Sequence, residues 1–250
     1  MALNPMEQFA IKPLIPLHIG GYDVSFTNQS LLMVIVVVAA GLFLSLAVKP
    51  GKLVPGRGQS MAEMSYEFVA NMIHSATGED GLRFFPLVFS LFIFVLFSNF
   101  FGMIPGSYTV TSQIMVTFAL ASLVILTVIV TGFVKHGIGF LKLFVPHAPL
   151  PLLFLLVPIE VISFLTRPIS LSVRLFANML AGHTMLAVFA GFVIALGGAG
   201  GVLSLLSIAP MALIVGILLL ELLVAFLQAY VFAILTCIYL NEALHLHDQH

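Results

Sequence analysis

The stretch ILLLELLVAFLQAYVFAILTCIYL, Ile217 to Leu240, holds no Gly, Pro or Asn at which the chain could turn. Apolar character carries the pattern back to Met211, so the segment reads as one helix of about 30 residues, where an upright span needs about 20. Such a helix fits a bilayer only if it is tilted near or beyond the usual range of about 0–40°. Ahead of it, Leu150 to Leu196 is a second apolar run, separated from Val202 by Gly197-Gly198-Ala199-Gly200-Gly201. As helices, 150–196 and 202–240 would measure roughly 70 and 58 Å, against a hydrocarbon core of about 30 Å. Either each run holds two spans or each is one long helix. The lack of turn residues favours the second reading, with kinks expected at Pro158 and Pro168. The two runs, 150–196 and 202–244, are therefore expected to form a steeply tilted antiparallel hairpin.

Three shorter spans precede it, at about 31–48, 84–103 and 113–134, with 1–30 as an outer N-terminal segment. The whole chain of 250 residues is 61% hydrophobic and 8% charged, against about 25% charged in a typical soluble domain. This is an all-α integral membrane protein with five membrane-crossing helices and a single membrane domain. Between the first two spans, 60–77 reads as an amphipathic helix. Ser60-Met61-Ala62-Glu63 fits a capping box, and Met61, Met64, Phe68 and Met72 recur at helical spacing. It either lies in the membrane interface or packs against other spans. No cationic segment followed by an apolar one opens the chain, so no cleaved signal peptide is expected.

The net charge is −1, so nothing points to nucleic acid. The stretch from Lys49 to Arg83 is too short for a soluble catalytic domain, no phosphate-binding loop is present, and no Cys or His spacing resembles a zinc site. No cofactor is expected. The tail His245-Leu246-His247-Asp248-Gln249-His250 reads as solvated rather than metal-binding, and Cys237 as a packing residue. Lys49, Lys52, Arg57 and Arg83 follow the first span, and Lys135 and Lys142 follow the third, whereas 104–112 and 197–201 carry no charge. By the positive-inside rule the N-terminus is expected outside and the C-terminus in the cytoplasm.

Within 150–196 and 202–240 the charged or histidine side chains are Glu160, Arg167, Arg174, His183 and Glu221. A charge at the bilayer centre costs about 2.5–3.5 kcal/mol on insertion scales, so such groups are functional candidates by default. Ser170, Arg174 and Asn178 are spaced by four and share a helix face. Glu160, Arg167 and Arg174 are spaced by seven. His183 lies about half a turn out of phase with Arg174. Counted from Ala199 as the tip, Arg174 falls between Glu221 and Gln228 in level. Arginine does not give up its proton in a protein, so Arg174 can serve only as a fixed cation. His183 and Glu221 can titrate and can form part of an aqueous proton path. Plainer readings exist for each: an Arg174–Glu221 ion pair that fixes register, a hydrogen-bonded His183, a snorkelling Glu160, a structural Arg167, and Asn178 and Gln228 as interhelical glue.

The block Ser170-Leu-Ser-Val-Arg174-Leu-Phe-Ala-Asn178-Met-Leu-Ala-Gly-His183 closely resembles subunit a of F-type rotary ATP synthases, and Glu221, Gln228, Ala229 and Tyr230 resemble that family's partner helix. The resemblance implies a proton-channel stator with no catalytic site of its own. Its implied partners are a ring of c subunits, peripheral-stalk b subunits and the rest of the ATP synthase, in a bacterial inner membrane. It implies an outer half-channel with His183, Glu221 and Asn178, and an inner half-channel with Glu160 and Ser170. Arg174 would separate the two, held by Gln228. A stand-alone proton-coupled transporter or pump is the alternative. Such proteins commonly show repeated halves or broken helices, and no internal repeat is found here.

Overall fold

The computed structural model describes residues 11–16, 18–19, 22–23, 25–48, 56–104, 109–144 and 150–245. The fold is all-α, with five helical segments long and apolar enough to cross a membrane. Most of the first half of the uncharged 104–112 segment, Lys49, Lys52 and the tail beyond His245 fall outside the described residues.

Short antiparallel pairings open the chain, a feature the apolar pattern does not signal. Strand β1 (Pro13–Ile15) pairs with β4 (Phe26–Thr27), and β2 (His18–Ile19) with β3 (Tyr22–Asp23). Helix α1 (Asn28–Val48) follows directly. The Thr27 hydroxyl accepts from the Ser30 amide at 3.3 Å, which satisfies one of the donors that a helix start leaves open. Asn28 ties the strand pair to the helix, its side-chain oxygen accepting from the Lys12 amide at 3.1 Å.

Helix α2 (Arg57–Thr77) starts earlier than the capping box predicts. Ser60 is already inside the first turn, its amide donating to the Gly56 carbonyl at 2.9 Å. It therefore cannot cap. Glu63 instead accepts from the Gln59 side chain at 2.8 Å. Gly78, at φ +68, ends the helix, a left-handed conformation that glycine adopts without steric cost. A turn of 3₁₀ helix (Glu79–Phe84) leads into α3 (Phe85–Gly102); a shorter one (Val110–Ser112) precedes α4 (Ile114–His136), and a third (Gly137–Phe144) follows it.

Helix α5 (Leu150–Gly198) is continuous for 49 residues, with Pro158 and Pro168 inside it. After Gly200 and Gly201, both at positive φ, a short α6 (Val202–Leu206) precedes α7 (Ile208–Leu244), 37 residues long. The break at Ser207 has a local cause. Pro210 has no amide hydrogen to donate to the Leu206 carbonyl, and the Ser207 hydroxyl satisfies the Ser204 carbonyl at 2.6 Å.

The chain forms two compact units. The first gathers the described residues up to Phe43 with Ile93–Gln113 and Leu175–Ala229, and the second gathers Leu44–Phe92, Ile114–Arg174 and the described residues from Tyr230. In the first unit, α5 and α7 pack as an antiparallel hairpin, with Leu175, Met179, Ala225 and Ala229 buried. Small residues on α7 let the helices approach closely, the usual basis of packing where lipid removes the hydrophobic drive. In the second unit, α2 buries Ala62, Val69, Met72 and Ile73. Its Phe68 ring lies 5.7 Å from those of both Phe92 and Tyr230. Met61 and Met64 stay exposed. The same unit brings charged and polar helix ends together: Lys135 Nζ reaches Asp80 at 3.0 Å, and His136 Nε2 meets the Leu244 carbonyl at 3.2 Å. That carbonyl is one of the acceptors a helix C-terminus leaves unpaired.

Phe140, 1% exposed, folds back on α4 at Gly132, where an added Cβ would lie 2.2 Å from its ring. Gly132→Ala is expected to destabilise the protein by about 1–3 kcal/mol through overpacking. A thermal midpoint in detergent equal to that of the wild type would refute the contact.

Candidate functional site

A buried carboxyl lies at the centre of the first unit. Glu221 stands on α7 and is 4% exposed, and neither of its oxygens has a hydrogen-bond partner among the described residues. Buried polar groups are nearly always satisfied, so an exception calls for an explanation. Two contacts define its surroundings. His183 Nε2, on α5, lies 3.6 Å from Glu221 Oε1. Gly182, the residue before it, leaves room for the carboxyl; a Cβ there would meet Oε1 at 2.8 Å. The same His183 nitrogen meets the Thr109 hydroxyl at 3.0 Å. One imidazole nitrogen thus faces a hydroxyl and a carboxyl, and the tautomer decides whether it donates or accepts.

One and two turns further along α7, a second polar group is buried. Asn178 Nδ2 donates to Gln228 Oε1 at 2.9 Å, while Gln228 Nε2 is buried with no described partner. Asn99, on α3, is fully buried. Its Nδ2 donates to the Ala225 carbonyl at 3.1 Å, and its Oδ1 accepts from the Thr111 hydroxyl at 3.0 Å. The first unit therefore holds three buried polar clusters inside an apolar helix bundle: Thr109, His183 and Glu221; Asn178 and Gln228; and Asn99 with Thr111.

The sequence reading makes His183 a neighbour of Glu221, and the fold does the same; it expects Gln228 to hold Arg174, and Gln228 instead accepts from Asn178. The level count from Ala199 is displaced, because Gly200 and Gly201 continue the turn and α6 extends the tip. Residues 178 and 228, and 183 and 221, pair about a centre within α6. Asn99, Thr109 and Thr111 escape the sequence reading. Ser98-Asn99 inside the run from Phe84 to Met103 is the signal that could have found the first of them. Thr109 and Thr111 lie in a connecting segment and carry no such signal.

Arg174 behaves differently. It is exposed on α5 and makes no hydrogen bond or ion pair with any described residue. Ser170, one turn before it, is also exposed, and Glu160 is half-buried, again with no described hydrogen-bond or ion-pair partner. The other arginine of the helix, Arg167, pairs with Glu242 of α7. Its guanidinium lies 5.5 Å from the Phe164 ring and 5.0 Å from that of Tyr239. In the same unit the Thr117 and Ser172 hydroxyls are 3.0 Å apart.

Comparison with known proteins bears on this arrangement. A family model described as ATP synthase A chain matches residues 30–241. ATP synthase subunit a of Mesorhizobium japonicum is 63% identical over 244 residues, 97% of this chain and 97% of that protein. The protein of the same name from a Chelativorans species is 63% identical over 246 residues, covering 98% and 99% of the two chains. That from Parvibaculum lavamentivorans is 58% identical over 244 residues, 97% and 94% of the two chains. With a match over most of its length and relatives this similar from end to end, the chain belongs to the ATP synthase subunit a family.

Proposed function

We propose that this chain is the proton-conducting stator of the membrane sector of a rotary ATP synthase. It has no catalytic site of its own and supplies two offset half-channels against a ring of c subunits. Arg174 carries the reading. A permanent cation stands exposed on a helix made to lie in lipid and makes no hydrogen bond or ion pair with any described residue. A cation at that depth is costly without a partner, so the partner is a carboxyl of another molecule, the mid-membrane acid of a rotating ring. The guanidinium cannot relay a proton. It repels protons and favours ionisation of any ring carboxyl brought beside it.

His183, Glu221 and Asn178 form the outer half-channel in this reading. Their support is the polar contacts of His183 with Thr109 and Glu221 and of Asn178 with Gln228, and a Glu221 carboxyl with no hydrogen-bond partner among the described residues. Glu160 and Ser170 belong to the inner half-channel, and Gln228 helps to position the polar face of α5. The helix ends that carry Arg83, Lys135 and Leu244 face the cytoplasm, in keeping with the positive-inside rule. The N-terminus is then outside, in a bacterial inner membrane, and peripheral-stalk b subunits hold the stator against the ring's torque. Each proton delivers about 2.3 kcal/mol per 100 mV of membrane potential, so several must be combined to drive one ATP.

The test is Arg174→Gln in the assembled, reconstituted complex. The variant should assemble and fail to couple proton flow to synthesis, and normal synthesis would refute the assignment. Glu221→Gln should assemble too, and should slow proton uptake at least about a hundredfold, the low end of what a positioned acid–base group contributes. Proton flux equal to wild type from about pH 6 to 8, the span in which an unperturbed histidine changes charge, would remove Glu221 from the path.

A further inference from the structure

We propose that Glu242 is a positioning residue of the inner proton route: it holds Arg167 in a net-neutral pair and keeps that charge off Glu160. This rests on the reading of Glu160 as part of the inner half-channel.

Arg167 and Arg174 are the only cations of Lys or Arg type in α5. They are treated in opposite ways. Arg174 is exposed and has no hydrogen-bond or ion-pair partner among the described residues, whereas Arg167 is largely enclosed, paired with Glu242 and in contact with the Phe164 and Tyr239 rings. Three side chains from two helices converge on this one guanidinium. Cation–π contact strengthens as water is excluded, and a charge-assisted pair adds direction.

The position of Glu242 points the same way. It stands in the last turn of α7, which contains no basic residue. A carboxylate there opposes the helix macrodipole, so the needs of the helix do not explain it. Arg167 does.

Glu160 supplies the reason for neutralising that cation. It lies seven residues before Arg167 on the same helix, about 10.5 Å along the axis and on nearly the same stripe. Side chains in a helix lean towards its N-terminus, so an Arg167 released from Glu242 would lean towards Glu160. A bare unit charge about 10 Å away, at an effective dielectric near 20, changes proton occupancy more than about tenfold. Paired with Glu242, Arg167 presents only a dipole, whose field falls off faster. Glu160 then feels little of that charge, and Arg174 is the one arginine of α5 with no ion-pair partner among the described residues.

A plain interhelical clamp would use the same contacts, and charge bookkeeping separates the two. Glu242→Gln, Arg167→Gln and the double variant are compared in the assembled complex reconstituted into vesicles, with ATP synthesis driven by an imposed proton gradient. Glu242→Gln leaves a bare cation and is expected to slow synthesis about tenfold. The double variant has no charge to neutralise and should return to within about twofold of wild type. Unchanged synthesis in Glu242→Gln overturns the proposal. So does a double variant no better than the single one, which is the signature of a clamp. If Glu242→Gln does not assemble, the double variant alone decides: recovered assembly and synthesis support charge neutralisation, and continued failure overturns it. Glu160→Gln in the same vesicles tests the underlying reading separately. Wild-type synthesis there removes Glu160 from the route, and with it the reason for Glu242.

Discussion

Arg174→Gln is expected to leave the amount of assembled complex unchanged and to abolish proton-driven ATP synthesis. The first half follows from the missing partner. Breaking a buried ion pair costs about 3–5 kcal/mol because the other charge is left uncompensated. Arg174 makes no such pair with any described residue, and it is exposed on α5. Glutamine is also cheaper than arginine at bilayer depth, so the isolated chain loses nothing by the change. The second half follows from what remains. Without a fixed cation, nothing obliges a ring carboxyl to ionise as it passes, and a protonated carboxyl can slip by without delivering its proton. Lysine is a poor replacement. It carries the charge in water but can lose its proton in a low-dielectric site, and it offers no planar fork to a passing carboxylate. The expected order is arginine far above lysine, and glutamine at background. Synthesis by the glutamine variant above about a tenth of the wild-type rate, a barrier change below about 1.4 kcal/mol, would show that the cation is not the barrier. Loss of assembly would show that Arg174 is structural.

Much of this site is legible in the sequence, because bilayer physics narrows the choices. Twenty-four residues without a turn former, Ile217 to Leu240, leave one long helix as the only economical reading, and α7 is that helix. Polar residues in such a helix stand out, and an antiparallel hairpin fixes which of them meet. His183 beside Glu221 is legible in this way, whereas the Asn178–Gln228 contact is not: counting from the glycine turn sets Arg174 between Glu221 and Gln228. The count is displaced because backbone geometry at Gly200 and Gly201 and the Pro210 break set the true tip. What stays hidden is tertiary. Thr109 reaches His183 across 74 positions of sequence and Asn99 reaches Ala225 across 126. Neither helical period nor charge pattern encodes such distant contacts. Glu242 was masked by its place near a polar terminus, where a carboxylate reads as solvated. The capping box at Ser60 failed for a local reason: Gly56 and Arg57 extend α2 by most of a turn, and serine inside a first turn has no open donor to cap.

Gly182→Val is expected to disable proton uptake almost as thoroughly as removal of the Glu221 carboxyl, although it adds no charge and removes none. A single Cβ at Gly182 already falls 2.8 Å from Glu221 Oε1 and 3.1 Å from its carboxyl carbon. The end of a glutamate side chain is flexible, so alanine can be met by a small rotation. Valine brings two further carbons on a stiff β-branch, and at 4% exposure Glu221 has little free space to move into. The carboxyl must then leave its contact with His183, now 3.6 Å. Misplacing a reacting group by about 1 Å can cost about a hundredfold, so uptake should fall by about that factor, with alanine intermediate. A second change separates displacement from general damage to the hairpin. Glu221→Asp shortens the side chain by one methylene and should restore part of the flux to Gly182→Val, while impairing the wild-type background. If the two changes instead add, the glycine serves helix packing alone. If Gly182→Val conducts normally, Glu221 does not need its present position and the outer route runs elsewhere.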